Sequence, residues 1–326
     1  MKTAEILEKI RSLRVLIIGD LCLDRWCQYD PALSEPSRET GLARVAVVGT
    51  EVTPGAAGTI ANNLRALDVS TSIVTAIGVD GFGFELEQSL RARSIGVDFV
   101  YRAADINTFT YTKLINRNTG VEDLPRVDFI QASDISIETE KAILDRVDTA
   151  WELFDVILVS DQAETERGGI VTPAVRERIC ELAAKSGDSK LVWVDSRVRS
   201  EHFRNVVVKP NRDEAIESSK RALGRVDFPA FRTMLNAPLL IVTMGGDGAV
   251  VYDPVGEYAV EGRRIANPVD ICGAGDSFTA GAACALQVTG SPMEAVQFGN
   301  KVASITIMKP GTGTASPAEL LAIPEQ

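Results

Sequence analysis

The stretch 267-NPVDICGAGDSFTAG-281 decides how the chain is read. Gly273, Ala274 and Gly275 lie between two acids, Asp270 and Asp276, and a run of small and apolar residues follows. Consecutive backbone N–H groups in a glycine-rich turn at a helix N-terminus make an anion site, reinforced by the positive end of the helix macrodipole. An acid on the first turn could then take a proton from a hydroxyl held nearby. That pairing suits phosphoryl transfer, where catalysis is mostly positioning, charge stabilisation and a carboxylate that receives the proton. The competing reading is an ordinary Asp or Ser N-cap, common at helix starts. The loop alone leaves both open.

Composition narrows the chemistry. Of 326 residues, 45% are hydrophobic and 24% charged, enough for a large core without a metal or disulfide staple. The formal net charge is −11. It argues against a nucleic-acid partner, whose phosphates would need Lys and Arg, but not against a phosphate ligand held by a few local donors. His202 is the only histidine. A Ser-His-Asp triad would have to use it, and a multi-histidine metal site is impossible. It lies in the polar segment SRVRSEHFRN and is expected at the surface, which leaves proton transfer to carboxylates. The five cysteines, at 22, 27, 180, 272 and 284, form no C-x-x-C pair. No apolar run approaches the roughly 18–20 residues of a membrane span, and VLII near the N-terminus is too short for a signal core. The expectation is a reduced, cytoplasmic protein with no membrane partner. Cys272 adjoins the glycine loop, yet no nearby histidine is evident to activate it.

Working outward, strand-length apolar runs alternate with helical stretches. RVLIIGD (14–20), TSIVTAIG (71–78), FDVILVSD (154–161), KLVWVDS (190–196), NVVVKPN (205–211) and LLIVTMGGDG (239–248) read as strands. Residues 58–68, 84–94 and 172–187 read as helices, the last with Pro near its start and Gly after its end. Continuous Val/Ile/Leu runs indicate strands buried on both faces, hence a doubly wound, largely parallel α/β sheet with helices on both faces. Ligands then bind beyond the carboxyl ends of the strands, where Asp20, Asp161, Asp195, Asn211 and the TMGGDG turn lie. Two segments, about 38–53 and 98–130, break the pattern and are expected to form a small antiparallel, β-rich lid on a single domain spanning 1–326. The lid could cover the substrate or pair with a second copy.

The chain lacks G-x-x-x-x-G-K-[ST], so it is no Walker-type NTPase, and the glycines of GVDGFG (78–83) do not match G-x-G-x-x-G. The run D-x-x-GAGD followed by S-F-x-x-G (270–281) resembles the C-terminal signature of the PfkB, or ribokinase-like, carbohydrate kinases. Further pieces follow in that family's order. They are GDLCLD (19–24), PGAAGTIANNLRALD (54–68), KPNRDEA (209–215), VTMGGDGAVV (242–251) and NKVASITIMKPGTGTASP (300–317). Within the family the chain resembles most the heptose-7-phosphate kinase group, through VLIIGDLCLDRW, TKL (112–114), VSD (159–161) and VDS (194–196).

The resemblance implies an ATP- and Mg²⁺-dependent kinase acting on a hydroxyl of a sugar or sugar phosphate, with the ribokinase-like fold. It implies Asp276 as general base, with Gly273, Ala274 and Gly275 as the anion hole. Asn211 and Glu214 would organise Mg²⁺ and phosphates, Glu214 through water. Thr243, Gly245, Gly248 and Asn300 would contact the nucleotide. Asp24, Gly55, Asn63 and Lys113 would face the acceptor, and Lys113, Arg117 and Arg126 are candidates for a substrate phosphate. Asp270 would mark a site for a monovalent cation, K⁺, whose presence varies in the family. Lid pairing would give a homodimer.

The sequence also departs from the family's pattern. The usual Gly-Gly pair is Gly55-Ala56, a common Asn is Thr59, a Thr is Ile271, and the loop 30–44 carries extra residues. The phosphate end is intact while the acceptor end has drifted. A nucleoside kinase of the same fold, with Phe109 or Tyr111 stacking on a base, stays open. So does a non-catalytic sugar- or nucleotide-binding regulator, against which the intact Asp276, Asn211 and Glu214 argue.

Overall fold

The continuous apolar runs become the centre of a nine-stranded sheet. The computed structural model describes residues 1–163, 165 and 168–325. In spatial order the strands are β13 (Glu257–Glu261), β12 (Gly248–Tyr252), β11 (Leu240–Thr243), β10 (Val207–Val208), β9 (Leu191–Ser196), β8 (Val156–Asp161), β1 (Arg14–Gly19), β4 (Ser70–Gly78) and β5 (Val100–Ala103). Every pairing from β11 to β5 is parallel, and only the β11–β12–β13 edge is antiparallel.

Side chains of one strand alternate between two cores. Val15 and Ile17 join the core under α1 (Thr3–Ile10), α2 (Ala57–Ala66), α3 (Gly81–Ala92), α8 (Ala274–Thr289), α9 (Pro292–Thr306) and α10 (Pro317–Ala322). Leu16 and Ile18 join the core under α4 (Ile137–Trp151), α5 (Pro173–Ser186), α6 (Arg212–Leu223) and α7 (Phe228–Met234). This is the doubly wound arrangement that the uninterrupted strands implied. Helix ends follow their caps. Thr172 accepts from the Val175 amide ahead of Pro173, and Gly187 ends α5 with φ 51°. α3 begins at Gly81, three residues before the stretch expected to be helical, because the Asp80 carboxylate accepts the Gly83 amide at 2.7 Å.

The lid needs correction at its edges. It is a four-stranded sheet in the order β3 (Val47–Ala56), β2 (Leu21–Tyr29), β6 (Thr110–Asn116), β7 (Val127–Phe129). Residues 100–103, expected in the lid, extend the main sheet as β5, with Thr75 opposite Val100. Residues 21–29 lie outside the segments expected to form the lid, yet they form one of its central strands, β2. Residues 38–46 form no lid strand. The sheet is also mixed, since β2 runs parallel to β6 while its other pairings are antiparallel. Its strands come from both sides of the main-sheet strand β4, which short-range periodicity does not reveal.

Candidate active site

The opening stretch folds into a loop and helix start without a side-chain cap. Gly273 is the N-cap residue of α8 with φ 75°, and no side chain bonds the first turn. The first helical bond runs from the Ser277 amide to the Gly273 carbonyl at 2.9 Å. The Gly275 and Asp276 amides precede it and so lack an i→i−4 partner, which is what an anion site needs. The ordinary-cap reading therefore fails here. The run of small residues that follows has a packing cause. A Cβ at Gly281 would lie 2.8 Å from Val302, and one at Gly299 2.8 Å from Ala282. Glycine at both positions lets α8 and α9 approach closely.

Asp276 is half-buried in the first turn. Burial, then the nearby Asp195 and Asp24, raise its carboxyl to about 7, against the opposing pull of Lys209 and Arg197. A carboxylate poised near neutrality is matched to general-base work.

Across the cleft stands Asp24 on β2. Burial pushes it to about 6, moderated by Lys113 and Arg126, with Asp128 acting the other way. Lys113 and Arg126 thus lie near Asp24, and Arg126 is also paired with Asp128 at 2.7 Å and lies over the Tyr111 ring. Arg117 is drawn off to Asp30 at 3.0 Å. Gly55 is a close-approach glycine, because a Cβ there would collide with the Asp24 carboxylate and lie 2.6 Å from the Cys22 sulfur. Asn63 is a correction. It is 0% exposed, and its amide donates to the Thr59 carbonyl of its own helix at 3.0 Å, so it braces α2 and does not line the cleft.

Thr243, Gly245, Gly248 and Asn300, expected to contact the nucleotide, line one mostly apolar cavity of about 360 Å³ together with Ala274 and Gly275 among others. Gly245 and Gly248 have φ 56° and 98°, and a Cβ at Gly248 would run into the Val260 carbonyl. Asn211 and Glu214 form a capping box on α6: the Glu214 amide donates to Asn211 at 3.0 Å, and the Asn211 amide to Glu214 at 2.8 Å. The capping reading thus holds for both residues. Burial raises the Glu214 carboxyl, and Asp195, Lys209 and Arg197 face it. Among the described residues no group of three His, Cys, Asp or Glu is arranged to hold a metal by itself. A single such carboxylate fits Mg²⁺, which keeps its waters and is commonly held by one or two carboxylates plus phosphates.

Asp270 ties two loops together. Its oxygens accept the Cys272 amide at 2.9 Å and the Gly311 amide at 3.1 Å. A monovalent cation at Asp270 would share oxygens already committed to those amides. Cys272 is exposed as a residue, but its thiol is partly covered, and that desolvation, then Asp270, raises its pKa, which disfavours a reactive thiolate. His202 is exposed, as its polar segment suggested.

Sequence reasoning missed Lys209. It is buried, and its ammonium lies 2.7 Å from Asp195. Both residues stood in quoted motifs, KPN and VDS, but their pairing depends on β9 and β10 being neighbours in the sheet.

The family model that matches residues 15–319 is the pfkB family carbohydrate kinase. The chain belongs to the pfkB family of carbohydrate kinases. It is 28% identical over 325 residues to the bifunctional protein HldE of Citrifermentans bemidjiense, covering 97% of this chain and 64% of that relative. It thus spans less than two thirds of the length of such relatives. Among solved structures it is similar to a ribokinase from Thermotoga maritima (TM-score 0.66, 19% identity, 95% of this chain and 98% of that one). It is similar to the same degree to an uncharacterized sugar kinase from Pyrococcus horikoshii in complex with ATP (TM-score 0.66, 19% identity, 95% and 97%). These likenesses support the ribokinase-like fold. No described helix is long and apolar enough to cross a membrane.

Proposed function

We propose that this kinase uses ATP with Mg²⁺ to phosphorylate a hydroxyl of a sugar or sugar phosphate, with Asp276 as general base. One observation carries the reading: Asp276, raised to about 7, stands behind an uncapped helix N-terminus between the acceptor-side Asp24 and the nucleotide cavity. ATP would supply the phosphoryl group, and Mg²⁺, near Glu214, would screen its charge. The rest is done by the chain. Asp24 accepts hydrogen bonds from acceptor hydroxyls and fixes which one points at Asp276. An Asp276 carboxylate oxygen takes that hydroxyl's proton as it attacks. The Gly275 and Asp276 amides face the negative charge that builds at the loop. The mostly apolar cavity beside Ala274 and Gly275 would receive the nucleotide's base.

Lys113 and Arg126 beside Asp24 favour an acceptor that already carries a phosphate, in keeping with the resemblance to heptose-7-phosphate kinases. A screen of pentoses, hexoses, heptose phosphates and nucleosides, read by ADP release, tests this. Asp276→Asn is expected to lower kcat by at least about 10³-fold while ATP affinity stays within a few-fold. Near-wild-type turnover in that variant would remove Asp276 from the role.

A homodimer through the lid extends the reading. Val47, Val48, Val127 and Phe129 are each more than two-fifths exposed on its edge strands β3 and β7. Light scattering is expected to report a dimer that Val48→Asp/Phe129→Asp converts to monomer. A wild type that stays monomeric at high concentration rules the dimer out.

A further inference from the structure

Trp26 lies two residues beyond Asp24 on β2, so the two side chains leave the same face of the lid. In the sheet it stands opposite Lys113 of β6, as Asp24 stands opposite Tyr111. Trp151 and Trp193 are core residues, 1% and 0% exposed, whereas Trp26 stays partly open. Its indole also touches the main body of the protein. A Cβ at Gly311 would lie 3.7 Å from Trp26 Cζ2, so the ring rests on the loop that follows α9.

That loop is braced, and it is tied to the opening stretch. Lys309 pairs with Glu319 at 2.7 Å, and the Gly313 amide donates to the Gly311 carbonyl at 3.0 Å. The Gly311 amide donates to Asp270 Oδ2 at 3.1 Å, while Asp270 Oδ1 accepts the Cys272 amide. Thr312 completes the link. A Cβ at Gly273 would lie 3.2 Å from the Thr312 γ-methyl and 3.0 Å from that of Thr59, so both methyl groups bear on Gly273. Gly273 is the N-cap of α8, and its setting fixes where the Gly275 and Asp276 amides point. Contacts thus run from the strand that carries Asp24, through Trp26, Gly311 and Thr312, to the anion hole. Close-packed groups pass on a displacement instead of absorbing it.

We propose that Trp26 is a positioning residue for phosphoryl transfer: with an acceptor held by Asp24, it bears on Gly311 and, through Thr312, sets the Gly273 turn. This rests on the reading of the chain as an ATP-dependent kinase. Trp26 itself touches no reacting atom. It makes the aim of the anion-hole amides depend on the position of the lid, so that the catalytic constellation is complete only when the acceptor side is filled.

Such coupling is reciprocal, so a ligand at the anion hole must in turn act on Trp26. The probe is a β,γ-imido ATP analogue with Mg²⁺, its binding followed by calorimetry. Acrylamide quenching of the fluorescence should fall at least about twofold at saturation, a change that belongs to Trp26 because the other two tryptophans are buried. Thr312→Ser, which removes the linking methyl group, should abolish most of that protection while the analogue still binds. With the most active acceptor of the ADP-release screen, Trp26→Ala should lower kcat about tenfold and leave KM for ATP within about threefold. Trp26→Phe, which keeps part of the ring, should recover to within about threefold of the wild type. Two results overturn the proposal: unchanged quenching while calorimetry shows the analogue bound, or a Trp26→Ala protein with a lower urea midpoint but wild-type kcat, which marks simple packing. A wild type that does not bind the analogue sinks the kinase reading itself, and this proposal with it.

Discussion

Ala56 has φ 53° and ψ −117°, a conformation suited to glycine, at the junction of β3 and α2. Alanine stands where the resembled pattern has its second glycine, and it still adopts a backbone conformation typical of glycine. The fold holds the conformation because the chain on each side is fixed: Ala56 pairs with Leu21 in the lid, and the Ala57 amide donates to the Asp20 carbonyl at 3.0 Å. Such a non-glycine residue costs roughly 1–3 kcal/mol. Glycine would relieve it, while costing about 0.5–1 kcal/mol through the freer unfolded chain. Ala56→Gly is thus expected to stabilise the protein by about 1 kcal/mol, measured as a raised urea midpoint at unchanged m-value. A lower midpoint would mean that the methyl group contributes packing. The departure itself was legible in 55-GAAGT-59, but its strain was not, because φ is a property of the folded chain. Lys209 was illegible for a related reason: a lysine before Pro-Asn reads as solvated until the partner strand is known.

At the scale of elements, the strands of the main sheet could be read because burial on both faces leaves unbroken Val/Ile/Leu runs. The lid could not be bounded, because it recruits β2 from directly after β1 and gives back β5 to the main sheet. The turn between β11 and β12 shows how an ordinary element becomes part of a site. It is a hairpin, as its antiparallel pairing demands, and its Gly245 and Gly248 also line the apolar cavity proposed to take the nucleotide. Gly248 meets two constraints at once, a φ of 98° and the Val260 carbonyl oxygen, which a Cβ would meet at 2.1 Å. Gly248→Ala should therefore distort the turn and its pairing with β13. Nucleotide affinity is expected to fall about tenfold or more, with a stability loss of about 1–3 kcal/mol. Titration with ATP beside a urea melt checks both, and unchanged nucleotide affinity would separate the turn from the site.

For the whole molecule, buried carboxylates store unfavourable charge. Asp20 and Asp24 are raised to about 6 and Asp276 to about 7, each chiefly by burial. All three have ordinary values near 4 when unfolded. Between about pH 4 and 7 the folded chain therefore binds more protons than the unfolded one. By linkage, these groups make stability fall as pH rises through that window, with the cost fully present above about 7 and absent below about 4. The same ionisation is what a base requires, so kcat/KM should fall as pH drops below about 7. Asp276→Asn separates the two effects. At pH 8 it should stabilise the fold by on the order of 2 kcal/mol, half of what the full shift implies because the residue is partly open to solvent. At pH 4 the gap should close, since wild-type Asp276 is then protonated and resembles Asn. Thermal melts of both proteins across this range give the comparison. A gap of equal size at both pH values would trace the effect to packing and remove the carboxylate charge as its cause.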